Sequence, residues 1–123
     1  MTDAGTDYLD LYRQSGALLE GHFQLSSGLH SDRYLQSALV LQEPAKAEQL
    51  CRGLAAKLPQ GIDYVVGPAL GGVVVAYELA RALGAKAQFT ERKDGVMALR
   101  RGFRLPAGAR VFSASFSSIR RLT

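Results

Sequence analysis

Apolar residues recur along this chain with two distinct periods. Tyr8, Leu9, Leu11 and Tyr12 share one face at helical spacing, and the pattern stops near Gly16, which predicts a short opening helix. His22-Phe23-Gln24-Leu25 alternates polar and apolar instead. Ser26-Ser27-Gly28 then turns the chain and an apolar pattern resumes at Tyr34-Leu35, which predicts a hairpin-like pair of strands. Pro44 stands where a helix would begin. Leu50, Cys51, Leu54, Ala55 and Leu58 follow at helical spacing until Pro59 and Gly61 end the run.

The middle of the chain reads as strand, glycine loop, helix, strand. Tyr64-Val65-Val66 runs into Gly67-Pro68-Ala69-Leu70-Gly71-Gly72, Val73 to Leu83 gives about three helical turns closed by Gly84, and Ala87-Gln88-Phe89-Thr90 is the next strand. Such a βαβ unit has parallel strands and a right-handed crossover, so the expected class is α/β. Arg92-Lys93-Asp94-Gly95 reads as a hairpin turn before Val96 to Leu99. Pro106-Ala107-Gly108 is a further turn, and Arg110-Val111-Phe112 starts another strand.

Composition narrows the class without changing it. A chain of 123 residues, 47% hydrophobic and 21% charged, suits one small domain with an ordinary core. The longest uncharged apolar stretch, Val65 to Tyr77, is too short to span a bilayer and is broken by Gly67, Pro68, Gly71 and Gly72, so no membrane span is expected. The acidic start lacks the apolar core of a secretory signal, and the single cysteine permits no internal disulfide, so the expected compartment is the cytoplasm. The net charge of +4 is unevenly spread. Residues 1–94 hold all eleven acids and nine basic residues, net −2, whereas residues 95–123 hold six arginines and no acid, net +6. That basic segment lacks a clear amphipathic helix and regularly interleaved aromatics, so nucleic acid is not the expected partner.

Chemistry has two candidate positions. The glycine loop leaves a strand and enters a helix, where unpaired amides face the crevice at the strand's carboxyl end. Gly71 and Gly72 admit a close anion, though the same glycines would also serve a tight turn and nothing more. Arg92 and Lys93 follow the next parallel strand and emerge at the same edge, either as cations for that anion or as a solvated turn pair beside Asp94. His22 and His30 lack partners at metal-ligand spacing and read as surface or hydrogen-bonded histidines; no metal site is expected of the side chains. Cys51 lies on an apolar helical stripe and reads as core.

The order of these pieces, Gly16-Ala17-Leu18-Leu19-Glu20-Gly21-His22-Phe23-Gln24-Leu25-Ser26-Ser27-Gly28-Leu29-His30-Ser31, then Tyr34-Leu35-Gln36, then Gly67-Pro68-Ala69-Leu70-Gly71-Gly72, then Glu91-Arg92-Lys93, resembles the orotate phosphoribosyltransferases, members of the type I phosphoribosyltransferases. The resemblance implies a partial fold of that type: a hood at about 16–36, a first βαβ unit at about 62–91 within residues 1–111, and a mainly parallel sheet flanked by helices. It also implies transfer of phosphoribosyl from 5-phosphoribosyl 1-diphosphate (PRPP) to orotate, with Mg²⁺ carried on PRPP, by a homodimer. By motif position, Leu70, Gly71 and Gly72 would meet the diphosphate, Arg92 and Lys93 would be PRPP cations, and Ser26, Tyr34 and Leu35 would lie at the orotate.

Departures from the family pattern accompany the likeness. Ser26 and Gly71 stand where lysines are common, and the segment after Lys93 is brief, with Arg100, Arg101 and Arg104 either standing in for the missing cations or serving as exposed charges. After the strand near 110–113 the family pattern calls for two acids and a Thr-Thr-Gly or Thr-Ala-Gly loop that cradles the ribose 5′-phosphate. The chain instead reads Val111-Phe112-Ser113-Ala114-Ser115-Phe116-Ser117-Ser118-Ile119-Arg120-Arg121-Leu122-Thr123. Residues 112–123 are therefore expected to be a divergent basic, serine-rich tail, of the kind a shifted reading frame or truncated gene product gives. The expectation is an impaired enzyme, with a non-catalytic binding module or a fragment pairing with a full-length relative as the alternative.

Overall fold

A computed structural model describes residues 7–25 and 27–123. The first helix, α1 (Tyr8–Gln14), starts at Asp7, whose carboxylate accepts from the Asp10 amide at 3.2 Å. It buries Tyr8, Leu11 and Tyr12 of the face that the spacing marks out, while Leu9 is only half-buried. Two antiparallel strands follow, β1 (Leu18–Gln24) and β2 (His30–Leu35), forming a sheet of their own. Most of this hairpin is exposed, and only its base, where Leu18 pairs with Leu35, packs against the core. The predicted turn residue Ser26 lies outside the described residues.

Helix α2 (Ser37–Leu41), which the residue pattern did not disclose, buries Ser37, Val40 and Leu41. Five residues are too few to show a helical period. Its first residue is fixed from elsewhere: the Ser37 Oγ and the Tyr12 hydroxyl, both buried, are 2.8 Å apart. Helix α3 (Pro44–Ala56) begins with Pro44, whose missing N–H costs nothing there, and buries Ala47, Leu50, Cys51 and Leu54 at the i, i+3, i+4, i+7 spacing of one face.

The main sheet is built around β3 (Tyr64–Pro68), with parallel β4 (Lys86–Lys93) on one side and parallel β6 (Val111–Ser113) on the other. Strand β5 (Val96–Leu99) folds back antiparallel on β4 through Asp94-Gly95, giving the order β5-β4-β3-β6. Helix α4 (Gly72–Leu83) connects β3 to β4 and ends in Gly84, whose φ of 70° supplies the left-handed cap. Val75, Ala76, Leu79 and Ala80 of α4 are buried together with Val65 of β3 and the α3 stripe, so the core lies between the sheet and α3 and α4. The class is α/β, as the sequence predicts.

The last twelve residues are less of a tail than their composition implies. After β6 they form α5 (Phe116–Arg120), which packs on α2, α3 and α4. Ala114 and Ile119 are completely buried. Serines and arginines dominate the segment, but Ala114 and Ile119, with Phe112, Phe116 and Leu122 packed beside them, suffice to close the core over α3 and α4.

Candidate functional site

The loop from β3 to α4 is pinned on both flanks. The Ala69 N–H donates to the Thr90 carbonyl of β4 at 2.8 Å, and the Ala114 N–H donates to the Val66 carbonyl at 2.8 Å. The glycines permit a close strand-to-helix approach. A Cβ at Gly67 would strike the Gly72 carbonyl and stand 2.9 Å from the Ala76 methyl, and one at Gly72 would meet the Pro68 ring. Gly71 is the N-cap of α4 and Leu70 is 87% exposed, so the start of this twelve-residue helix opens to solvent. The Val73 amide turns back to the Leu70 carbonyl at 3.3 Å. The other first-turn amides are the groups a helix start leaves for an outside acceptor, and the helix dipole favours an anion there.

Arg92 and Lys93 end β4 beyond the last residue paired with β3, which is Thr90 opposite Pro68. The parallel register therefore brings them to the same carboxyl edge as the glycine loop. The Arg92 guanidinium donates to the Gly95 carbonyl at 3.1 Å across the hairpin turn, and Lys93 is exposed. Arg101 is otherwise committed: it holds both carboxylate oxygens of Glu91, at 2.8 and 3.0 Å, and lies 5.8 Å from the Phe89 ring centroid. This pair holds the Glu91 carboxyl below its ordinary range, chiefly through the hydrogen bond from Arg101. Of the arginines considered as stand-ins for missing phosphate cations, Arg101 thus serves the loop that carries it.

The turn from β6 to α5 faces the glycine loop. Its Ser115 amide donates to the Ser118 Oγ at 3.1 Å and the Ser115 side chain caps the helix in return, so the turn satisfies itself. The Phe116 ring lies within 3.2 Å of the place a Gly71 Cβ would take. Leu70, Gly71 and Phe116 line an apolar groove of about 400 Å³ with Ala38, Leu41 and Val74. The roomier hollows, of about 600 and 520 Å³, open near Gly61, Ile62 and Tyr64 at the amino ends of the strands. An anion site belongs at the carboxyl edge, where the helix start points, so the glycine loop is the candidate and those hollows are not.

The remaining predicted positions are scattered. Tyr34 stands on the separate two-stranded sheet, its ring 5.8 Å from that of Phe23, and Leu35 is drawn into the core at the hairpin's base. Cys51 is fully buried, and burial, with Glu78 adding to it, pushes its thiol up to about 12, which suits core packing and not nucleophilic work. Among the described residues no three His, Cys, Asp or Glu side chains converge as a metal cage. Sequence reasoning missed the approach of Phe116 to Gly71, because the two are distant along the chain and are joined by the β3–β6 pairing and the packing of α5 on α4.

A sheet of order β5-β4-β3-β6 with a glycine loop after its central strand, and a hairpin beside it, is part of a type I phosphoribosyltransferase fold. An orotate phosphoribosyltransferase from Aeropyrum pernix aligns with a TM-score of 0.68 over 94% of this chain and 70% of its own, at 22% identity. An adenine phosphoribosyltransferase aligns with a TM-score of 0.57 over 87% of this chain and 70% of its own, at 19% identity. Within that class the chain's sequence is similar to the orotate phosphoribosyltransferases. That of Pelotomaculum thermopropionicum is 56% identical over 102 residues, 82% of this chain and 54% of the relative. The chain spans about half the length of the curated relatives it matches. No protein-family model matches it. No helix among the described residues is long and apolar enough to cross a membrane.

Proposed function

We propose that this chain carries the hood and the diphosphate-binding part of an orotate phosphoribosyltransferase site, the enzyme that joins orotate to the phosphoribosyl group of PRPP in cytoplasmic pyrimidine synthesis. The observation that carries this reading is the glycine loop at the carboxyl edge of β3, with Arg92 and Lys93 brought to the same edge by β4, in a chain with relatives of that name at 49 to 58% identity. In the reaction the orotate nitrogen bonds to the anomeric carbon as the bond from that carbon to the diphosphate oxygen breaks. The leaving diphosphate gains charge, and amides at the start of α4 with the Arg92 and Lys93 cations are suited to stabilise it. Gly71, exposed at the N-cap of α4, lets the diphosphate come close, Gly72 lets the helix start pack on Pro68, and Tyr34 on the hood supplies an aromatic face for the orotate ring.

Mg²⁺ enters this reading on PRPP. The described side chains offer it no cage, and a hard cation that keeps its waters is suited to ride on diphosphate oxygens, where it supplies charge neutralisation. The chain on its own is impaired in this reading. At the β6–α5 turn it has serines and Phe116 in place of paired acids, and the Ser115 amide that a ribose phosphate would use is already bonded to Ser118. A homodimer accords with the exposed Val74 and Tyr77 on α4 and Leu70 in the loop before it, which are 47, 67 and 87% accessible.

The test is orotate consumption by the purified chain with PRPP and Mg²⁺, each also omitted in turn, beside a full-length relative. The expected result is consumption that needs both and runs at least 100-fold slower than the relative's. A rate equal to the relative's overturns the impairment, and consumption independent of PRPP overturns the assignment.

A further inference from the structure

The chain has two histidines, and the fold puts them in contact. Nε2 of His22 and Nδ1 of His30 are 2.7 Å apart, with ring centroids separated by 4.7 Å, on the exposed hairpin of β1 and β2. An irregularity in the register brings this about. Glu20 pairs with Arg33 and Phe23 with Ser31, so β1 spends one more residue than β2 across this interval, a bulge at Gly21-His22. With regular pairing from Glu20 onward, His22 would stand opposite Ser31 and His30 opposite Phe23. The extra residue moves His30 opposite Gln24, leaving it diagonal to His22. Gly21, at a φ of 152°, adopts the backbone that the bulge requires.

We propose that this pair is a two-histidine site for a borderline divalent transition cation, Cu²⁺ in preference to Ni²⁺ or Zn²⁺. Two imidazole nitrogens bound to one such cation at about 2 Å each lie about 3 Å apart, close to the observed separation, so binding replaces the hydrogen bond between the rings and turns both nitrogens toward the shared cation. Both side chains are exposed, so water and cation reach them. Among the described residues no further His, Cys, Asp or Glu joins them, so water fills the remaining coordination positions and the affinity is that of two imidazoles. A cation held this way staples β1 to β2 across the bulge. Mg²⁺, a hard cation that prefers oxygen, does not compete for the site, so it is separate from the metal that accompanies PRPP in the proposed reaction. The inference does not depend on that reaction.

The test is titration of the intact chain with Cu²⁺ in the presence of excess Mg²⁺, followed by calorimetry and electron paramagnetic resonance, for wild type, His22→Gln and His30→Gln. The expected result is one saturable site with two nitrogens coupled to the copper, weakened at least 10-fold in each variant, which keeps at most one of those nitrogens. Binding no tighter in wild type than in the variants, or one nitrogen in the wild-type spectrum, overturns the site. Should a variant fail to fold by circular dichroism, proton spectra of the wild type decide. Sub-stoichiometric Cu²⁺ then broadens the ring resonances of both histidines together, and broadening of one or neither overturns the proposal.

Discussion

Replacing Ile119 with alanine tests whether the last residues belong to the core. The Ile119 side chain is wholly buried on α5, a helix packed on α2, α3 and α4. Ile119→Ala removes three carbons, at about 0.8 kcal/mol for each buried methylene, and leaves a hole that a five-residue helix collapses only in part. The combined loss is about 3 kcal/mol, a large share of the stability of a domain this size. With a urea dependence of about 1.5 kcal/mol per molar, the unfolding midpoint falls by about 2 M. Far-ultraviolet circular dichroism in urea measures this, and Arg121→Ala, at an exposed neighbour, is the control expected to change stability by less than about 0.5 kcal/mol. A shift below about 0.5 kcal/mol in Ile119→Ala would show that residues 112–123 do not close the core.

Three further outcomes follow from the packing. Gly67→Ala forces a methyl against the Gly72 carbonyl and displaces the start of α4, so a thermal melt should show a loss of about 1–3 kcal/mol. Tyr12→Phe strands the buried Ser37 hydroxyl and costs about 1–3 kcal/mol, while adding Ser37→Ala recovers part of that loss; a double-mutant cycle in urea reads the coupling. Because burial holds the Cys51 thiol protonated to about 12 while an unfolded thiol ionises near 8.5, the unfolded chain binds fewer protons between those values. Stability should therefore fall as pH rises above about 8.5, by up to about 1.4 kcal/mol per unit more in wild type than in Cys51→Ala, as urea midpoints at pH 8 and 10 would show.

What the sequence disclosed was what repetition could carry. The α3 stripe of Leu50, Cys51 and Leu54, the β3–loop–α4–β4 unit and a turn at Asp94-Gly95 each follow from local periodicity or turn chemistry, but α3 ends at Ala56, short of Leu58, and Arg92 and Lys93, read as part of the turn, are strand residues of β4 paired with Met97 and Val96. Helix α2 is too short to show a period, and α5 hides its single buried Ile119 among serines and arginines. That the glycine loop and the Arg92-Lys93 pair lie toward one edge of the sheet was legible because parallel strands deliver their carboxyl ends to one side. Phe116 against Gly71, Arg101 on Glu91 and His22 against His30 were not, since each depends on strand register or a loop path that composition does not encode.

In the proposed function, the β3–α4 loop with Arg92 and Lys93 forms a diphosphate site in this chain. Calorimetric titration of pyrophosphate with Mg²⁺ into the wild type and into an Arg92→Ala, Lys93→Ala double variant tests it most directly. Each charged hydrogen bond is worth about 1.5–3 kcal/mol, so the expected result is one saturable site in the wild type, weakened at least 10-fold in the variant. Absence of saturable binding, or equal affinity in the two proteins, would contradict it.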